Sequence, residues 1–125
     1  MSTPDQWTWL PHAAHLCVGN YCRFHIATEV GGYIVSTVGE YVPDSIMHKI
    51  RGKDRTGFED IGWGRKYQTM VFKSQVVTQP TCCPFRQDEG GELDMVGYND
   101  PAEAMAGHMR LCRKWAKKEA AAEQP

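Results

Sequence analysis

The chain has 125 residues, with 14 Lys and Arg against 15 Asp and Glu, for a formal net charge of −1. That length holds one domain and no second independent core. The near balance of charge speaks against a dedicated DNA binder, which carries a clear basic excess. No window approaches the ~18 consecutive apolar residues of a membrane-spanning helix.

The five cysteines are an odd number and cannot all pair. The first residues show no basic run followed by an apolar stretch, so no leader is expected. In a cytosolic setting such cysteines favour free thiols or metal ligation over disulfides.

Residues 1–20 mix apolar Trp7, Trp9 and Leu10 with Pro4 and Pro11, which predicts a mostly irregular lead-in. From 21 to 29 the chain alternates. Cys22, Phe24, Ile26 and Thr28 fall on one face, and Arg23, His25, Ala27 and Glu29 on the other. Gly31-Gly32 signals a turn, and residues 33–41 read as the returning strand of a hairpin. Asp44 or Ser45 suits the cap of a short helix over 46–51, ended by Gly52. Residues 58–61 suggest a short strand, 66–73 a further good strand, and Val76-Val77 a weak one. Between Cys82 and Asn99, turn signals at Gly90-Gly91 and Gly97 separate short extended pieces.

The clearest helix follows. Asp100 is a good N-cap, Pro101 occupies the first helical position, and Glu103 completes an Asp-x-x-Glu arrangement. Met105, His108, Met109, Cys112, Trp115 and Ala116 form one stripe at helical spacing, which predicts helix from Pro101 to about Lys118. Met105, Met109 and Trp115 are expected to be buried, and Arg110, Arg113 and Lys117 exposed. The expected fold is α+β: a small antiparallel sheet with a long C-terminal helix, stapled by zinc. Its divisions are the lead-in (1–20), a β-rich region (21–79), a metal-binding turn, hairpin and helix (80–118) and a tail (119–125).

The zinc expectation rests on Cys82, Cys83, His108 and Cys112. Soft thiolates and an imidazole are what a tetrahedral structural zinc requires, and residues 108 and 112 share one helix face. Adjacent cysteines are unusual for a zinc knuckle. One or both of Cys82 and Cys83 ligate, and Cys17 or Cys22 is an alternative source of a ligand. The plainer reading places His108 and Cys112 in an ordinary buried stripe. A looser set, His12, His15, Cys17, Cys22 and His25, is read as packing and surface residues.

Two further surfaces are candidates. Arg23, His25, Ser36, Thr37 and Glu40 offer a weak nucleophile–base pattern on the hairpin; the plainer reading is a solvated sheet face with cross-strand pairs. Arg65 and Lys66 flank Trp63, and these three are the candidate partner-binding residues. A second basic set, Arg110, Arg113, Lys114, Lys117 and Lys118, lies on the final helix. Basic residues interleaved with aromatics suit nucleic-acid contact, although nearby acidic residues favour a solvated surface.

The stretches CRFHIATEVGGYIVSTVGEYVPDS, IGWGRKYQTMVFK and ELDMVGYNDPAEAMAGHMRLCRKWA resemble a family of small uncharacterised proteins encoded by tailed bacteriophages. The resemblance covers most of residues 12–116. In that family a cysteine pair or near-pair precedes the GYND-type helix, which carries a histidine and a cysteine, matching Cys82 or Cys83, His108 and Cys112 here. It implies a phage product in an infected bacterial cytoplasm, and an accessory role such as inhibition of bacterial immunity of the anti-CRISPR kind. The functional expectation is therefore a non-enzymatic protein that binds a host protein complex. The alternative is a small zinc-containing regulator that contacts nucleic acid, and the third is a small enzyme using the polar face of the hairpin.

Overall fold

The computed structural model describes residues 6–10, 22–42, 61, 64–75 and 86–123. The strands are β1 (Thr8–Leu10), β2 (Cys22–Val30), β3 (Tyr33–Tyr41), β4 (Tyr67–Gln75) and β5 (Arg86–Tyr98). Among the described residues they precede one helix, α1 (Pro101–Glu123). They form a single sheet in the order β1-β2-β3-β4-β5, and every neighbouring pair is antiparallel. The architecture is the expected α+β arrangement of an antiparallel sheet and a C-terminal helix.

The β2–β3 hairpin forms as its sequence dictates. Val30 pairs with Tyr33, leaving a two-residue turn in which Gly31 adopts φ 60°, a conformation glycine takes without the Cβ penalty. The β-branched run Ile34-Val35-Ser36-Thr37-Val38 then suits a pleated surface packed on both sides. All five of those residues are buried.

Three expectations need correction. The lead-in is not wholly irregular, because Thr8–Leu10 pairs with β2, Trp9 opposite Thr28. The stretch after the cysteine pair is not broken at Gly90-Gly91 and Gly97 but runs as one 13-residue strand. There Gly91 (φ 81°) lies where the β4–β5 register shifts, so the glycines serve a bulge rather than a turn. At Gly97 the side-chain position is filled by the aliphatic stem of Arg65. The hairpin face carrying Ser36 is not solvated either, since Ala27, Ile34, Ser36 and Val38 are all buried. The expected helix at 46–51, most of the strand at 58–61, and Val76-Val77 lie outside the described residues.

α1 begins as its cap predicts. Asp100 Oδ1 accepts hydrogen bonds from the backbone N–H of Ala102 at 2.7 Å and of Glu103 at 3.2 Å, satisfying donors the helix itself leaves open. The helix lies on the face formed by alternate residues of the strands and organises what is beneath it into three layers. Near its C-terminal half, Leu111, Cys112, Trp115 and Ala116 pack with Trp7, Val30, Val35 and Val71. Near its start, Ala104 packs with Tyr67 and Tyr98, joined by Phe24. Between these apolar layers sits a polar one.

The stripe is rotated slightly from expectation. Met109 is half-buried and Trp115 buried, but Met105 is 40% exposed. It falls toward one margin of the buried arc, which centres on Ala104, His108, Leu111 and Trp115. Arg110, Arg113 and Lys117 are exposed as expected. No helix among the described residues is long and apolar enough to cross a membrane.

Gly107 supplies a sharp test. In a helix interior, Gly→Ala ordinarily stabilises by about 1 kcal/mol. Here a Cβ on Gly107 would overlap the Tyr98 phenol, which is itself buried. Gly107→Ala is therefore expected to lower the melting temperature, and a rise would show that Tyr98 does not pack under this turn.

Candidate functional site

The polar layer is built from one residue of each central strand and two from the helix. Thr28, Thr37 and Thr69 all point to the helix face, and each is fully buried. Thr37 and Thr69 are direct cross-strand partners. Thr28 is opposite Val35, which sets it diagonally from Thr37. His108 and Cys112, one turn apart on α1, descend onto this trio and are also fully buried.

The hydrogen bonds leave the imidazole no spare nitrogen. His108 Nδ1 lies 2.7 Å from Thr37 Oγ1, and Nε2 lies 2.8 Å from Thr28 Oγ1. Thr37 Oγ1 is also 2.6 Å from Thr69 Oγ1, and Cys112 is hydrogen-bonded with Thr28. A neutral imidazole has one donor and one acceptor nitrogen. With the proton on Nδ1, the chain runs from the Cys112 S–H to Thr28, from the Thr28 O–H to Nε2, from Nδ1–H to Thr37, and from the Thr37 O–H to Thr69. With the proton on Nε2, every bond reverses. Each tautomer satisfies the whole row.

The surroundings push the ionisable groups away from reactivity. Burial lowers the His108 pKa to about 4. Residues facing the ring include Trp9 from β1, the threonines of β2 and β3, and Cys112, and of these only Cys112 ionises. Burial pushes the Cys112 thiol up to about 12, outweighing the opposing pull of Thr28 and Arg113. A catalytic base needs a pKa near the working pH, and a nucleophilic cysteine needs a depressed one. This pair has neither. The Trp9 indole stacks on the His108 ring, with centroids 6.2 Å apart and planes at 27°, while the residue remains 49% exposed.

At the β5 side of the helix, Asp94 Oδ2 accepts hydrogen bonds from Lys114 Nζ at 2.8 Å and from Trp115 Nε1 at 3.1 Å. Burial alone would raise this carboxyl, but the bonds from Lys114, Trp115 and the Met95 amide outweigh it and hold it below the usual carboxylate range. At the start of the helix, the Tyr67 hydroxyl donates to Glu40 Oε2 at 3.1 Å. Glu40 adopts φ 54°, a backbone state that costs a residue with a Cβ.

Of the residues expected to bind metal, the structure brings His108 and Cys112 together, while Cys82 and Cys83 lie outside the described residues. Among the described residues no group of three or more His, Cys, Asp and Glu is placed to hold a metal ion. For His108 to ligate, one ring nitrogen would have to give up its threonine. Cys22, the other candidate with known placement, is buried on β2 and opposite Tyr41.

Of the partner-surface residues, Trp63 is outside the described set. Arg65 and Lys66 are exposed, with the Lys66 N–H donating to the Tyr98 carbonyl at 3.1 Å. On the hairpin, Arg23 and His25 are exposed, but Ser36 and Thr37 are sealed. The nucleophile pattern read from the sequence is therefore dispersed between a surface and a core. Thr28 and Thr37 went unrecognised as partners of His108, as did Thr69 behind Thr37. The available signal was the histidine itself, because a buried imidazole demands hydrogen-bonding partners. Compared with protein-family models, curated proteins and solved structures, the chain finds no match.

Two outcomes follow from the layer. Thr37→Val keeps shape but strips a bond from both His108 and Thr69. Leaving such buried groups unsatisfied costs about 1–3 kcal/mol, readable as a lower urea midpoint. Acid should act through His108. The unfolded imidazole titrates near pH 6.5 and the folded one near 4, so only the unfolded chain takes up the proton in between. Stability is then full above about pH 6.5 and falls as pH drops toward 4, by about 2 kcal/mol at pH 5. His108→Gln should remove that share of the difference between urea melts at pH 7.5 and pH 5. An unchanged difference would show that the ring titrates normally.

Proposed function

We propose that this protein acts by binding a macromolecular partner stoichiometrically rather than by catalysis. The observation that supports this most is the sealing of its hydroxyl–imidazole–thiol set. Thr28, Thr37, Thr69, His108 and Cys112 have the chemistry of an active site, yet all five are fully buried and spend their hydrogen bonds on one another. No substrate atom reaches them while the helix is seated. What faces solvent is of the kind that anchors interfaces: Trp9, held flat by the ring beneath it, with Met105 about one turn before His108 on the helix. Exposed tryptophan on a rigid support is a common hot spot, and methionine adapts to a partner's contour.

The resemblance to tailed-phage accessory proteins makes a bacterial defence complex the partner to try first. In cells carrying a CRISPR system, expression of this protein should restore transformation by a targeted plasmid only when its level matches that of the defence complex. Trp9→Ser and Arg65→Ala should weaken the effect while the chain stays folded by far-ultraviolet circular dichroism, and Trp9→Phe, which keeps a ring over His108, should weaken it less. Full protection at about a hundredth of the target's abundance would overturn the stoichiometric reading and favour an enzyme.

A second reading keeps the zinc, because His108 and Cys112 stand side by side at the same threonine. In that reading Cys82 or Cys83 completes a set with them, and the imidazole exchanges a hydroxyl for the metal. It expects about one zinc per freshly purified chain and a melt that a chelator lowers sharply, since binding energy of a structural metal is folding energy. A chelator-insensitive melt with substoichiometric zinc favours the threonine layer alone.

A further inference from the structure

Helix α1 carries an unusual distribution of charge. Between Glu103 and Glu119 it holds Arg110, Arg113, Lys114, Lys117 and Lys118 and no acidic residue, in a chain whose net charge is −1. Two of these cations have work within the fold. Lys114 pairs with Asp94 at 2.8 Å, and Lys118 Nζ sits 4.5 Å from the centre of the Trp115 ring. Arg110, Arg113 and Lys117 are exposed and make no ion pair among the described residues. At about 100° per residue these three fall within an arc of about 60°, on the side of the helix turned away from the sheet, and span about 10 Å of its axis.

The usual reason for cations on a helix does not cover them. Favourable interaction with the macrodipole is confined to about the last turn. α1 runs on to Glu123, and its last turn holds no basic residue. Nor does the stripe resemble a protein-binding patch. Such patches centre on aromatic or apolar anchors and are depleted in lysine. The only other residue on this arc is the small Ala106, and the exposed apolar side chains Trp9, Leu93, Met95 and Met105 lie elsewhere, Leu93 and Met95 alternating on β5 with Asp94, which turns to the helix. A row of like charges without an anchor matches an evenly charged polymer, and guanidinium groups suit phosphate by their forked geometry.

We propose that the outer face of α1, through Arg110, Arg113 and Lys117, is a docking site for the phosphate backbone of nucleic acid. About 10 Å of duplex axis presents on the order of six phosphate charges, enough to meet all three cations at once. The site reads no sequence, because nothing on it is placed to contact base edges. It is separate from the Trp9 surface, and does not depend on the reading of that surface as a protein-binding site.

The test is fluorescence anisotropy of the intact protein with a labelled mixed-sequence DNA duplex, across a salt series from about 50 to 200 mM. Three phosphate contacts predict a log–log salt slope of roughly −2.7, and each of Arg110→Gln, Arg113→Gln and Lys117→Gln should reduce it by about 1. The triple variant should show almost no binding while its melt stays at the parental value, because the replaced side chains are exposed and unpaired. Absence of binding by the parent at the lowest salt overturns the proposal, as does a triple variant that binds like the parent. Competition by polyglutamate as effective, charge for charge, as competition by unlabelled DNA also overturns it, in favour of an acidic protein partner. Trp9→Ser should leave DNA binding unchanged, so this site and the protein-partner surface fail or succeed separately.

Discussion

The contact on which this fold turns is that between one histidine and two threonine hydroxyls. Seating α1 on the sheet buries an imidazole completely, and an unpaired imidazole there would be costly. The sheet answers with hydroxyls at the distances and directions the two ring nitrogens need. Those positions exist only when β2, β3 and β4 hold their observed register. A slip of one residue would turn each threonine to the opposite face. The polar layer thus fixes how strands align and where the helix sits along them. Apolar packing above and below, being non-directional, specifies neither so tightly.

This arrangement also explains why reactive residue types need not signal reactivity. Serine, threonine, histidine and cysteine in proximity invite a mechanism, but proximity in a dry layer works against it. The imidazole is driven to its neutral form and the thiol is kept protonated by the same burial. The groups that share this layer have become a lock, and function moves outward to what the lock supports. Trp9 is the clearest case. Its strand is three residues long, yet the indole has a ring beneath it, so an exposed aromatic is presented with little freedom to lose on binding.

Much of the architecture was legible in the residues. The Gly31-Gly32 turn, the β-branched strand that follows and the Asp100-Pro101 helix start are each governed by local chemistry, and each formed as read. Edge strand β1 was missed because three residues carry too little periodicity beside two prolines. The continuity of β5 was missed because glycine marks both turns and bulges, and only the partner strand decides between them. The candidate site was half legible. Spacing alone placed His108 and Cys112 on one buried face. The threonines that meet them are separated from His108 by 80 and 71 positions in the chain, and each looks by itself like any strand residue. A pattern confined to one element also explains the metal expectation, since a histidine and a cysteine at helical spacing suit a zinc ion and a row of hydroxyls equally well.

The position of α1 after all five strands has a consequence for synthesis on the ribosome. The sheet can assemble by pairing each strand with the one just made, but the face that will receive the helix must wait uncovered until α1 emerges. An uncovered face of Val30, Val35, Val71 and their aromatic neighbours would be an invitation to stray contacts in a crowded cell. Thr28, Thr37 and Thr69 cut across that face as a hydrated band, breaking the apolar surface into two smaller patches in the manner of gatekeeper residues. The same hydroxyls that receive the imidazole thus keep that face from being one continuous apolar surface, and replacing them with valine would trade a lock for an adhesive.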